Sequence, residues 1–145
     1  MTRVDFYILS EASPDAAEHF ACRLAEKAFH GRHRIALRAA TRDAATRLDA
    51  TLWTFRQGSF IPHRLSDQPD NLVLPAPVIV GAQDTAMEPR DLCINLARSI
   101  PPNSGQWQRI AEIVPGTEAD KAAARDRFRQ YRELGCDMHT HNVTA

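Results

Sequence analysis

The strongest constraint on this chain is the alternation of short β-rich runs with helical patterns, which begins at its first residues. RVDFYIL, Arg3 to Leu9, is rich in β-branched and aromatic residues and stops at the polar group Ser10-Glu11-Ala12-Ser13, which predicts a buried strand. Ser13-Pro14-Asp15 then reads as a helix start, with Ser13 as cap, Pro14 at the first helical position and Asp15 set against the dipole. Ala17, Ala21, Leu24 and Ala28 recur at helical spacing with Phe20 beside them, and Gly31 ends the pattern. RIALRAA (Arg34 to Ala40) is a second strand. Thr41 opens a second helix whose apolar stripe is Ala45, Leu48, Leu52 and Phe55. Further strands are expected at APVIVG (Ala76 to Gly81), LCINLA (Leu92 to Ala97) and RIAEIV (Arg109 to Val114). Pro115-Gly116-Thr117 turns into a last helix that ends near Gly135. This order predicts a three-layer α/β domain on a mostly parallel sheet. Gly58 to Pro75 is left as the one long loop, a length often associated with function.

The 145 residues are expected to form one domain with a real core, residues 137–145 being a loose polar tail. No stretch approaches the roughly 20 apolar residues of a membrane span, and the run FYIL is too short for a signal-peptide core. Cys22, Cys93 and Cys136 are sparse and odd in number, which argues against a disulfide framework and for a reducing, cytoplasmic setting. Eighteen basic residues balance eighteen acidic ones, so charge-driven binding must come from local asymmetry.

A parallel α/β sheet invites a nucleotide-binding reading, but its motifs are missing. There is no GxGxxG after the first strand, no GxxxxGK[ST] and no GxSxG. The first strand instead runs into SEASPD, whose acids would repel a phosphate. His139 and His141, with Cys136 or Asp137, could ligate a metal, but no second cluster accompanies them and a polar tail is the plainer reading. His19, His30 and His33 lie on or beside the polar side of the first helix without a patterned partner. Asp84 and Glu88 read as loop charges. No catalytic constellation, cofactor site or metal site is legible.

Two surfaces stand out. ARDRFRQYR, Ala124 to Arg132, carries four arginines in nine residues, with Phe128 and Tyr131 threaded between them. At about 100° per residue, Ala119, Ala123 and Leu134 form the expected core stripe, with Ala124 and Tyr131 at its edge. Lys121, Arg125, Phe128 and Arg132 fall within about 60° of one another on the opposite side. That face suits a short chain both acidic and apolar: the cations hold carboxylates while the ring and side-chain stems form an apolar floor. An ordinary solvated helix face is the simpler reading, and single-stranded DNA stacked on Phe128 is a third. The second surface is LDATLWTFRQGSFIPH, Leu48 to His63. Trp53 lies roughly 120° off its helix stripe, followed by a loop carrying Phe60, Ile61, Pro62 and His63. This is either a protein–protein hot spot or a loop that folds Phe60 and Ile61 back over the helix end.

In order along the chain, FYIL, CRLAEKAF, RLDATLWTF with SFIPH, PVIV, INL and EIVPGTEADKAAARDRFRQYRELG resemble the chi subunit of bacterial DNA polymerase III holoenzyme over nearly its whole length. The resemblance implies a Rossmann-like α/β fold without nucleotide-binding motifs and a non-catalytic accessory role in the clamp-loader assembly. It implies that the acidic, Phe-terminated C-terminal tail of single-stranded DNA-binding protein is gripped by Val114, Lys121, Arg125 and Phe128, with Arg132 on the same face. It further implies that Trp53, Phe60, Pro62 and His63 meet the psi subunit or an equivalent partner, a surface also reported to dock a helicase in some members. The family position often filled by Tyr is Phe128 here, keeping the ring and losing the hydroxyl. The expected function is thus an adaptor that reaches DNA through the protein coating it. The rival readings are a direct single-strand binder and a small nucleotide-utilising α/β enzyme.

Overall fold

The computed structural model describes residues 1–58, 61–66, 76–83 and 87–144. Its centre is a seven-stranded sheet, parallel at every pairing. The strands are β1 (Arg3–Leu9), β2 (Ile35–Ala39), β3 (His63–Leu65), β4 (Val78–Ala82), β5 (Leu92–Asn95), β6 (Arg109–Val114) and β7 (Asp137–Val143), in the order β3-β4-β2-β5-β6-β1-β7. Three α-helices cover it: α1 (Pro14–His30), α2 (Arg42–Thr54) and α3 (Glu118–Glu133).

The helix starts are set locally. Ser13 Oγ accepts from Asp15 N at 3.2 Å, Thr41 Oγ1 from Ala44 N at 3.0 Å and Thr117 Oγ1 from Asp120 N at 3.0 Å, each satisfying an otherwise unpaired first-turn donor. Helix α3 stops at Gly135, whose φ of +78° is the left-handed conformation that glycine adopts without a Cβ penalty.

Side-chain alternation along the strands divides the core into two layers. Leu9 of β1 joins Ala17, Ala21, Ala25, Leu48 and Leu52 on the α1/α2 face. Val4 and Phe6 join Ile110, Val114, Ala124 and Tyr131 on the α3 face. Cys22 and Cys93 are buried free thiols, and burial pushes Cys22 up to about 12, so they act as small apolar residues.

Three expectations are corrected. The segment expected as a loose tail is, over residues 137–143, the edge strand β7, in register with all of β1 from Arg3↔Asp137 to Leu9↔Val143. The polar run DMHTHNV lacks the apolar signal of a strand; the free hydrogen-bonding edge of β1 orders it. The long loop contains β3, paired to β4. Finally, Leu134 is 58% exposed and Ala119 is exposed, whereas Ala124, Arg127 and Tyr131 face the core.

The cause of that last rotation is a buried polar cluster. Glu112 on β6 is fully buried and accepts from Arg127 Nε at 3.0 Å, Asn95 Nδ2 at 2.8 Å and Tyr131 OH at 2.5 Å. Arg38 adds donors to Asn95 Oδ1 (3.1 Å) and the Ser99 carbonyl (2.7 Å). Burial drives the Glu112 carboxyl above the usual carboxylate range, opposed by the Arg127 charge and the hydrogen bonds from Tyr131 and Asn95. At about 100° per residue Arg127 falls between Leu134 and Tyr131, and the Glu112 carboxylate satisfies its guanidinium at that buried position.

Candidate functional site

Rotating α3 by this amount brings its cationic side to the border of the core rather than to the far side from it. Phe128 is half-buried, its ring 5.5 Å from that of Phe6. Lys121, Arg125 and Phe128 of α3, together with Val114 at the end of β6, line one small groove of about 160 Å³. Its remaining walls are Phe6 and Ile8 of β1, Ala124, and Thr140 of β7. The interior is apolar and the rim carries two cations. Neither Lys121 nor Arg125 is paired with a carboxylate among the described residues. Arg132 is exposed and lies outside the groove.

The turn ahead of α3 fixes the geometry at the groove's end. A Cβ on Gly116 would lie 2.8 Å from the carbonyl oxygens of Leu9 and Ser10, so only glycine allows this approach. Gly116 N also donates to the Glu11 carbonyl at 2.9 Å, joining the ends of β1 and β6. At the helix start, Asp120 receives both Thr117 Oγ1 (2.6 Å) and Arg98 (3.0 Å), which satisfies the acid next to Lys121.

Phe6 and Ile8 were legible as the alternate side chains of β1, facing opposite to Leu9. Thr140 had no signal in the sequence, because β7 had none.

The second surface lies at the other end of the sheet and on its other face. Trp53 is 50% exposed on α2, with its ring 4.5 Å from that of His63. The His63 imidazole is enclosed, Nδ1 lying 2.6 Å from the Ile61 carbonyl and Nε2 3.0 Å from that of Asp49. Ile61 is buried in the core and Pro62 is half-buried beside it. Of the two readings of this segment, Ile61 follows the fold-back while Trp53 stays out in solvent. Phe60 lies outside the described residues, as does Asp84 of the loop pair with Glu88.

The C-terminal histidines take separate roles. His139 Nε2 lies 3.1 Å from Asp137, and His141 Nε2 lies 2.8 Å from Asp5 with its ring stacked on Tyr7 at 4.9 Å. Among the described residues no group of three or more potential ligands is placed to hold a metal ion, and no helix is long and apolar enough to cross a membrane.

Fold and surfaces together define a parallel α/β domain with a cation-rimmed apolar groove beside its last helix and an exposed tryptophan at the far end of its sheet. The sequence profile described as "DNA polymerase III chi subunit, HolC" matches residues 1–139, and the chain belongs to this family. It is 41% identical over 143 residues to the DNA polymerase III subunit chi of Pseudomonas aeruginosa, covering 99% of this chain and 98% of that one. The subunits of the same name from Haemophilus influenzae and Escherichia coli are 32% and 26% identical, covering 95% and 97% of each chain respectively.

Proposed function

We propose that the chain acts in cytoplasmic DNA replication as a non-catalytic accessory subunit of the DNA polymerase III holoenzyme. The α3 groove takes the acidic, Phe-ended tail of single-stranded DNA-binding protein. The Trp53 surface, with Phe60 and Pro62 and with His63 supporting Trp53 from beneath, joins the clamp loader through psi or an equivalent partner, and a helicase uses the same surface. The observation that carries this reading is an apolar groove sized for one side chain, rimmed by Lys121 and Arg125. A terminal ring enters against Phe6, Val114 and Phe128, while the carboxylates meet the two cations. Each contact is weak, but many tails on one coated strand raise the effective concentration, so a dissociated subunit rebinds nearby.

The test is fluorescence anisotropy with a labelled acidic peptide ending in Phe. Arg125→Ala is expected to cost about 1–3 kcal/mol, the range for a charge-assisted hydrogen bond, or roughly 5- to 150-fold in affinity. Trp53→Ala leaves peptide affinity unchanged while losing the clamp-loader partner in a pull-down. Equal peptide affinity for wild type and Arg125→Ala, or binding indifferent to salt, refutes the assignment.

A further inference from the structure

Helix α1 packs mainly over β2, β5 and β6 and meets β1 along its flank, through Leu9 and Tyr7. The result is an open trough along α1, about 390 Å³ at the C-terminal end of β1 and about 480 Å³ at its N-terminal end, the two parts sharing Tyr7, Leu24 and Lys27. Phe20 and Tyr7, 5.3 Å apart, form part of its wall, and His141 stacks on Tyr7 beside it. The outer imidazole remains 42% exposed.

Cations border these rings. Arg23 sits over the Phe20 ring at 5.7 Å, and Lys27 lies one helical turn further along α1. Neither has a carboxylate partner among the described residues. From the strand side come Arg109, donating to Asp5 at 2.8 Å, and Arg3, which also pairs with Asp5. Asp5 has no exposed side-chain surface, so the positive charge of two arginines is presented outward and only one negative charge opposes it from beneath. The acids that line the trough stand at its ends: Glu11 at one, and Asp91, already accepting from Arg34 N at 2.8 Å, at the other.

We propose that this trough binds a short segment of single-stranded nucleic acid, its bases extending the Phe20–Tyr7–His141 row and its phosphates lying against Arg23, Lys27 and Arg109. Rings with flanking cations are the combination that holds single strands without regard to sequence. Arg23 and Lys27, at i and i+4, stand about 6 Å apart along the helix, comparable to the step between successive phosphates. β1 runs about 23 Å beneath them, enough for a few nucleotides. β1 is paired on both sides, so an extended peptide could add to the sheet only along the outer edge of β7, away from the cations of α1. The trough and the α3 groove lie on opposite faces of β1, so both can be filled at once.

The experiment titrates the full chain into a labelled oligothymidylate across a salt series. Binding at low salt is expected, with Arg23→Ala/Lys27→Ala weakening it roughly tenfold and reducing the salt slope by about 1.4, at about 0.7 for each phosphate left without its cation. The charge-keeping Arg23→Lys/Lys27→Arg restores it, and Arg125→Ala leaves it unchanged. Absence of binding at low salt overturns the proposal. So does retention of full binding by the Arg23→Ala/Lys27→Ala variant, or loss of acidic-peptide binding in it, which would make the trough a peptide site. Absence of oligonucleotide binding leaves the peptide titration of the α3 groove unaffected, whereas loss of peptide binding in the Arg23→Ala/Lys27→Ala variant counts against both sites.

Discussion

Replacing Arg127 by methionine keeps much of its volume but removes its charge, and so isolates the electrostatics under α3. Arg127 has 4% of its side chain exposed and Glu112 none, with 3.0 Å between Nε and Oε1. After the change, Glu112 retains only the neutral donors Asn95 at 2.8 Å and Tyr131 at 2.5 Å. Stranding a buried charge this way costs about 3–5 kcal/mol. For a domain of this size that lowers Tm on the order of 10 °C. The penalty has a pH signature. Burial already raises the Glu112 pKa, and losing Arg127 raises it further, so the folded variant holds its proton more tightly than the unfolded chain. The deficit is therefore full above the folded pKa and is recovered as pH falls through it toward the unfolded value near 4. Urea unfolding of both proteins from about pH 8 down to about pH 5 should show the gap closing. Adding Glu112→Gln removes the stranded charge and recovers most of the loss at neutral pH. A deficit below about 1 kcal/mol, a gap constant with pH, or a double variant no better than the single one would refute the reasoning.

Asp5 carries the opposite sign. Burial pushes its pKa up, but hydrogen bonds from Arg3, His141 and Arg109 outweigh that and hold it at about 2. Its contribution is therefore present above the unfolded pKa and is lost as pH falls toward about 2. Asp5→Asn should cost about 2 kcal/mol at neutral pH and little near pH 2, read by acid titration of the circular dichroism signal. Truncation after Cys136 removes β7, its ladder with β1 and the His141 ring on Tyr7. Several ladder hydrogen bonds at about 1 kcal/mol each predict a loss of at least ~3 kcal/mol in chemical denaturation. A shortened chain as stable as the full one would mean that β7 contributes nothing.

The candidate groove was partly legible. Lys121, Arg125 and Phe128 group on any helical wheel because four residues make about one turn, and Val114 ends a strand whose apolar run is plain. The apolar stripe set that group too far from the core, because it was centred on Ala119, Ala123 and Leu134 rather than on Ala124, Arg127 and Tyr131, which face inward. Trp53 was correctly read as lying off its stripe, while its contact with His63 required a chain reversal that no local pattern encodes.

What the sequence determined by itself is the local order: β1, β2, β4, β5, β6 and the three helices with their Ser13, Thr41 and Thr117 caps. These follow from side-chain periodicity and from caps within a few residues of the groups they satisfy. Tertiary structure alone decided the rest. The polar run DMHTHNV becomes a strand because β1, more than a hundred residues earlier, offers it an open edge. The face that α3 turns to the groove is set by one buried carboxylate on β6. Hydrogen bonds and charges act through space, and their partners are fixed only when distant segments meet.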